Sequence, residues 1–160
     1  MSTEKLKFKL ELFSTHWLNK PSVDVQLNGK SQWKGDIGND INDPQLIEFE
    51  HECQEGDEVN LTLHRYGKTT KDCIVNEKGD LLKDQLLHIK SIEIDEIDLG
   101  ALVYEGVYTP EYPEPWATQQ KDANIELKKS FTNVTQMGFN GTWTFSFKSP
   151  FYMWLLDNLY

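Results

Sequence analysis

An all-β fold, an antiparallel β-sandwich or jelly roll closed by one short C-terminal helix, with a closed barrel as the alternative, is what three features of this sequence predict. Apolar residues recur at every second position in several short stretches. Turn residues separate those stretches at intervals of roughly 8–12 residues. A helical period takes over only near the C-terminus.

The elements follow in order. In Lys5 to Phe13, Leu6, Phe8, Leu10 and Leu12 fall on one side and Lys5, Lys7, Lys9 and Glu11 on the other, which suits a strand with one buried and one wet face. Ser22 to Leu27 repeats the pattern with Val23, Val25 and Leu27 inward. Asn28-Gly29 follows, and both residue types accept the positive φ of a type I′ turn. Lys30 to Lys34 is then the returning strand and carries Trp33. Gly35 to Pro44 is rich in Gly, Asn and Asp and reads as a loop. Ile47, Phe49 and His51 alternate, as do Val59, Leu61 and Leu63 after the break at Gln54 to Asp57, so a second hairpin is expected here. Cys73 to Val75 belongs to another strand, ended by the turn Asn76 to Asp80.

Leu86 to Leu99 is rich in β-branched residues but changes phase. Leu87 and Ile89 share one parity, Ile92 and Ile94 the other, and Ile97 and Leu99 return to the first. A flat strand cannot place all six on one face, so a bulge or a tight hairpin must intervene. Two short strands parted near Asp95-Glu96 are expected. Residues 104–118 hold Tyr104, Tyr108, Tyr112 and Trp116 among Pro110, Pro113 and Pro115. Proline offers no ladder donor, so this is an ordered excursion or an edge. Ile125 to Phe131 is a candidate strand, and Thr142 to Phe147 a clear one with Trp143, Phe145 and Phe147 inward. Ser149 as cap and Pro150 in the first turn start a helix over about 150–159, with Phe151, Trp154, Leu155 and Asn158 on one stripe.

One domain over 1–160 is expected from the length of 160 residues. A composition of 38% hydrophobic, 12% aromatic and 26% charged residues excludes disorder as the main state. No apolar run is long enough to span a membrane as a helix, so no membrane partner is expected. The first residues lack a secretory apolar region and read as mature structure. The net charge of -10 argues against a nucleic-acid partner, whose phosphates call for lysine and arginine. It fits a soluble protein, a cation site, or a partner with a basic face. Cys53 and Cys73 have neither metal-ligand nor redox spacing; two free thiols are expected, with a disulfide between them as the alternative.

His16, His51, His64 and His88 form no metal-binding pair spacing, and no nucleophile elbow, phosphate loop or dinucleotide fingerprint is present. The expectation is therefore a protein that is not an enzyme. Carboxylates crowd several loops, among them Asp36, Asp40 and Asp43, then Asp80 and Asp84, then Glu93, Asp95, Glu96 and Asp98. Calcium takes six to eight oxygen ligands, which makes Asp36 and Asp40 candidate ligands, although the spacing is not that of an EF-hand. Five tryptophans are present; Trp143 and Trp154 are core by periodicity, whereas Trp17, Trp33 and Trp116 lie in or beside loops. Trp33, Tyr104, Tyr108, Tyr112 and Trp116 are the candidate aromatic platform for a sugar or partner-binding arm.

Two blocks, Lys83 to Leu99 and Met137 to Leu159 with its Gly-Phe-Asn-Gly-Thr-Trp strand leading into Ser-Pro-Phe-Tyr, resemble small proteins encoded by tailed bacteriophages, mainly large contractile-tailed ones. That resemblance implies a non-enzymatic virion accessory protein, a capsid decoration or a tail or fibre component. It would be made in the bacterial host cytoplasm and located in the virion, with other virion proteins or further copies of itself as partners. Val23 to Leu99 is similar to calcium-dependent xylan-binding modules through the strand ending in Asn28-Gly29, then Glu55 to Leu61, then Ile92 to Ile97. This similarity implies a sandwich fold, and places Asp95 and Asp98 near a metal, although the glycine-rich metal loop of those modules is missing here. The alternative functions are a calcium-assisted module for a host surface glycan and, third, an acidic intracellular phage effector that binds a host protein.

Overall fold

The computed structural model describes residues 2–159. In chain order the strands are β1 (Thr3–Thr15), β2 (Ser22–Leu27), β3 (Lys30–Asp36), β4 (Gln45–Gln54), β5 (Glu58–Tyr66), β6 (Ile74–Val75), β7 (Leu81–Lys83), β8 (Leu86–Ile94), β9 (Ile97–Asp98), β10 (Val107–Pro110), β11 (Gln136–Met137) and β12 (Gly141–Lys148). Two helices, α1 (Trp116–Asp122) and α2 (Phe151–Leu159), complete the set, with 3₁₀ turns at Thr70–Asp72 and Gly100–Glu105. One sheet runs β11-β8-β1-β4 with β9 beside β8; the other runs β10-β12-β5-β2-β3; β6 and β7 form a separate hairpin. Every pairing is antiparallel.

The inward rows are those the alternation marked. Leu6, Phe8, Leu10 and Leu12 of β1 and Val23, Val25 and Leu27 of β2 are buried, as are Val59, Leu61 and Leu63 of β5. They meet Trp143, Phe145 and Phe147 of β12, also buried, in one apolar core. The parity slip in β8 is resolved by both devices at once. Lys90 has no partner on β1, because Glu11 pairs with Ser91 and Leu12 with Ile89. That extra residue turns Leu87, Ile89, Ile92 and Ile94 to the same buried side. Asp95 and Glu96 then adopt φ of 54° and 69°, making the two-residue hairpin loop between Ile94 and Ile97. Asn28 and Gly29 do the same for β2 and β3.

Four expectations change. β4 and β5 do not form a hairpin: β4 pairs with β1, β5 with β2 and β12, and the turn through Gly56, at φ 90°, carries the chain from one layer to the other. Ile125 to Phe131 is not a strand, since only Phe131 bridges Tyr108 and Ile125 is left exposed. The 104–118 stretch splits into an edge strand, β10, and the start of a second helix, α1. Finally, among the described residues the Ser149 hydroxyl donates to Glu4 rather than accepting from an α2 N–H. The carboxylate of Glu4 accepts from the Phe151 N–H at 2.8 Å and the Ser149 hydroxyl at 2.5 Å, placing an anion from β1 at the helix's positive end.

Cys53 is buried and Cys73 half-buried, and both are free thiols. Burial, with help from the charges of Glu4 and Asp57, pushes the Cys53 thiol up to about 11. Among the described residues no helix is long and apolar enough to cross a membrane.

Candidate functional site

Beyond β5 the chain turns at Gly67, where φ is +87°, and presents Lys68. Its backbone is clamped by Asn140, whose Oδ1 accepts from the Lys68 N–H and whose Nδ2 donates to the Lys68 carbonyl, each at 3.0 Å. The Lys68 side chain donates to Asp84 Oδ1 at 2.5 Å and to the Gly138 carbonyl at 2.6 Å. It also lies 5.6 Å from the centroid of the Phe139 ring. The two charged side chains are only 12% and 17% exposed, so their attraction is screened less than that of a surface pair. An ammonium has three donors and two are used. Asp84 Oδ1 also accepts from the Gln85 N–H, whereas Oδ2 has no partner among the described residues.

Aromatic rings flank this pair. Trp116 and Phe139 lie 5.5 Å apart at 32°, and Tyr112 meets Phe139 edge-on at 5.1 Å. Behind them Tyr108 fixes the Phe139 backbone, its hydroxyl donating to the Phe139 carbonyl at 2.6 Å and accepting from the Phe139 N–H at 2.8 Å. Tyr108 is 4% exposed, and burial drives its phenol up to about 12. Opposite the rings, the β6–β7 hairpin contributes Val75 and Leu81, and the adjoining turn contributes Thr69, Thr70 and Cys73. Together these surfaces enclose a cleft of about 550 Å³, a volume suited to a small-molecule ligand.

A buried polar chain anchors the cleft to the sandwich. Arg65, fully buried, donates from Nη1 to the Met137 carbonyl at 2.7 Å and from Nη2 to the Gln85 carbonyl at 2.8 Å and Gln85 Oε1 at 2.6 Å. Gln85 Nε2 donates to the Asn19 carbonyl, and Asn19 Nδ2 to buried Asp72. Asp72 closes a capping box with Thr69 at the turn that forms one wall of the cleft. Burial pushes the Arg65 guanidinium down to about 10, partly offset by Tyr108, Asp84 and Asp72.

The structure packs Tyr112 against Trp116, ring centroids 5.9 Å apart, but of the five candidates Trp116 alone lines the cleft. Tyr108 is a buried support whose ring has no free face for a ligand. Trp33 lies on β3, packed against the core, and Tyr104 is exposed in the 3₁₀ turn; neither lines the cleft. Of the carboxylates considered for calcium, Asp36 and Asp40 line one open depression with Asp43 and Asn39, which Asp95 and Asp98 do not reach. Asp36 accepts from the Ser22 hydroxyl, Asp40 from the Asn42 and Asp43 N–H groups, Asp95 from the Tyr152 hydroxyl and Asp98 from the Gly100 N–H. Among the described residues no group of three or more His, Cys, Asp or Glu is gathered to hold a metal ion. Lys68 and Phe139 gave no signal of their own in the sequence. The cleft depends on residues 68, 84, 116 and 139, brought together only by the fold.

No protein-family model matches this chain, and no curated protein matches it. Among solved structures it is similar to the selenomethionine form of vCBM60, described with two families of calcium-dependent carbohydrate-binding modules, at 11% identity and a TM-score of 0.49 over 88% of this chain and 89% of that one. It is also similar to vCBM60 in complex with galactobiose, at 12% identity and a TM-score of 0.46, covering 87% of this chain and 96% of that one.

Proposed function

We propose that this protein is a non-catalytic binding module and that the cleft between the β6–β7 hairpin and the Trp116–Phe139 pair holds a saccharide ring. One observation carries the reading: an aromatic wall stands beside a half-buried Lys68–Asp84 pair with one donor and one acceptor unused. A sugar presents a C–H face to an aromatic ring and neighbouring hydroxyls at its rim. One hydroxyl donates to Asp84 Oδ2 while the next accepts from Lys68 Nζ. Thr69 and Thr70 add hydroxyls at the mouth. A glycan array followed by calorimetry on its best binder tests this. Trp116→Ala and Asp84→Asn are each expected to weaken binding about tenfold or more, the loss of one aromatic contact or one charge-assisted hydrogen bond. The melting temperature of Trp116→Ala should change little, because its helix is short and has no buried residue. An array without binders, or unchanged affinity in both variants, refutes the assignment.

We also propose, on the two sequence blocks that resemble tailed-phage proteins, that this module serves as an accessory component of a virion. Mass spectrometry of purified particles is expected to find it at a fixed copy number. Its absence from particles while it is abundant in infected-cell lysate would point to the acidic intracellular effector instead.

A further inference from the structure

Among the described residues the sandwich leaves one long strand edge unpaired. β4 has ten residues, contains neither glycine nor proline, and pairs with β1 without a register shift from Thr3↔Gln54 to Leu12↔Gln45. Its other side meets no strand, and among the described residues no backbone–backbone bond outside the β1 ladder reaches residues 45–53. The other edges are blunted. β10 ends in Pro110, β9 and β11 have two residues each, and β3 is shifted in register opposite Val25 and Gln26. An exposed row of peptide N–H and C=O groups is a template for another strand.

The side chains of β4 specify which strand. Glu48, Glu50 and Glu52 alternate on its exposed face, while Ile47, Phe49 and His51 face inward. Phe49 and His51 are only half-buried, with Phe49 stacked on Phe8 at 5.0 Å. Lys5 bridges Glu50 at 2.9 Å, but Glu48 and Glu52 have no ion pair among the described residues. We infer that β4 is a docking edge for an extended segment of another protein with lysine or arginine at every second position and apolar residues between. β1 already displays that arrangement on the paired side: Lys5, Lys7 and Lys9 stand opposite Glu52, Glu50 and Glu48, and Leu6, Phe8 and Leu10 opposite His51, Phe49 and Ile47. The incoming strand repeats this pairing, neutralises Glu48 and Glu52, and covers the open flank of Phe49 and His51. A second copy does not fit, because β4 against β4 sets glutamate rows side by side.

The probe is a fluorescein-labelled peptide copying Glu4–Leu12, titrated into the whole protein and followed by anisotropy and by amide hydrogen exchange. Saturable binding is expected, with new protection confined to residues 45–54 and no loss of protection in β1. Affinity should fall at least tenfold when the peptide's lysines are replaced by glutamate, and again in the double variant Glu48→Gln/Glu52→Gln, whose substitutions are exposed and leave the fold intact. Three results overturn the inference: no saturable binding, equal binding of a scrambled peptide, or sedimentation showing self-association that the double variant alters.

Discussion

Gly106→Ala is expected to lower the free energy of unfolding by about 3 kcal/mol or more, among the larger effects a single methyl can have. A β-carbon at that position would stand 2.2 Å from Trp143 Cζ2, 2.3 Å from Cε2 and 2.5 Å from Nε1. These are atoms of a rigid ring rather than the end of a flexible chain. Trp143 cannot withdraw, because it is fully buried and stacked against Phe145. The backbone at Gly106 is ordinary, with φ -61° and ψ 145°, so the penalty is a packing collision and not conformational strain. Two controls isolate it. Gly138→Ala, whose nearest neighbour would be Leu86 Cδ2 at 3.5 Å, should melt close to the parent. Adding Trp143→Phe to Gly106→Ala should recover part of the loss by shortening the ring. Urea denaturation followed by circular dichroism reads all three. A Gly106→Ala chain within about 1 kcal/mol of the parent would mean that the turn before β10 approaches the tryptophan less closely than 2.2 Å implies.

Arg65→Met should cost about 2–4 kcal/mol, the balance of two opposed effects. The guanidinium is fully buried with no carboxylate in contact among the described residues, and its pKa is depressed to about 10. A base so depressed contributes stability that is fully present only above its ordinary pKa and is lost as pH falls through about 10. At neutral pH the charge therefore opposes folding, and methionine would relieve that. Against this, the substitution strips donors from the carbonyls of Met137 and Gln85 and from Gln85 Oε1. Buried acceptors left bare cost about 1–3 kcal/mol each, so the hydrogen bonds win. Arg65→Lys should also destabilise, because one ammonium cannot reproduce the fork that meets acceptors on two separate segments. Double-variant analysis with Gln85→Leu gives the sharpest reading: the pair should lose less than the sum of the single losses, since one orphaned acceptor disappears with Gln85. Strict additivity would show that the two side chains act independently.

Much of the fold was legible because a two-layer sheet protein writes its burial directly into alternate residues. The rows of β1, β2, β5 and β12 were readable for that reason, and so was the need for a register change between Ile89 and Ile92. Partner choice was not legible. The stretch before Gly56 and the stretch after it alternate equally well whether they pair with each other or belong to opposite layers. Ile125 and Leu127 imitated a strand, yet two apolar residues without a neighbouring chain stay in a loop. α1 escaped notice because seven residues give fewer than two full turns of period, and no side chain caps it. At the cleft, the tyrosine and proline excess drew attention to Trp116, against which Tyr112 packs, while Lys68 looked like any surface lysine until the fold set it against Asp84 and Phe139.

The unpaired Lys90 has a consequence for how this chain should be compared with others. A pleat converts an odd offset into an inversion, so one residue gained or lost in β8 exchanges wall for interior along half of the strand. An ungapped superposition on a regular homologous strand would therefore set solvent positions against core positions on one side of the kink, and true kinship there would score as noise.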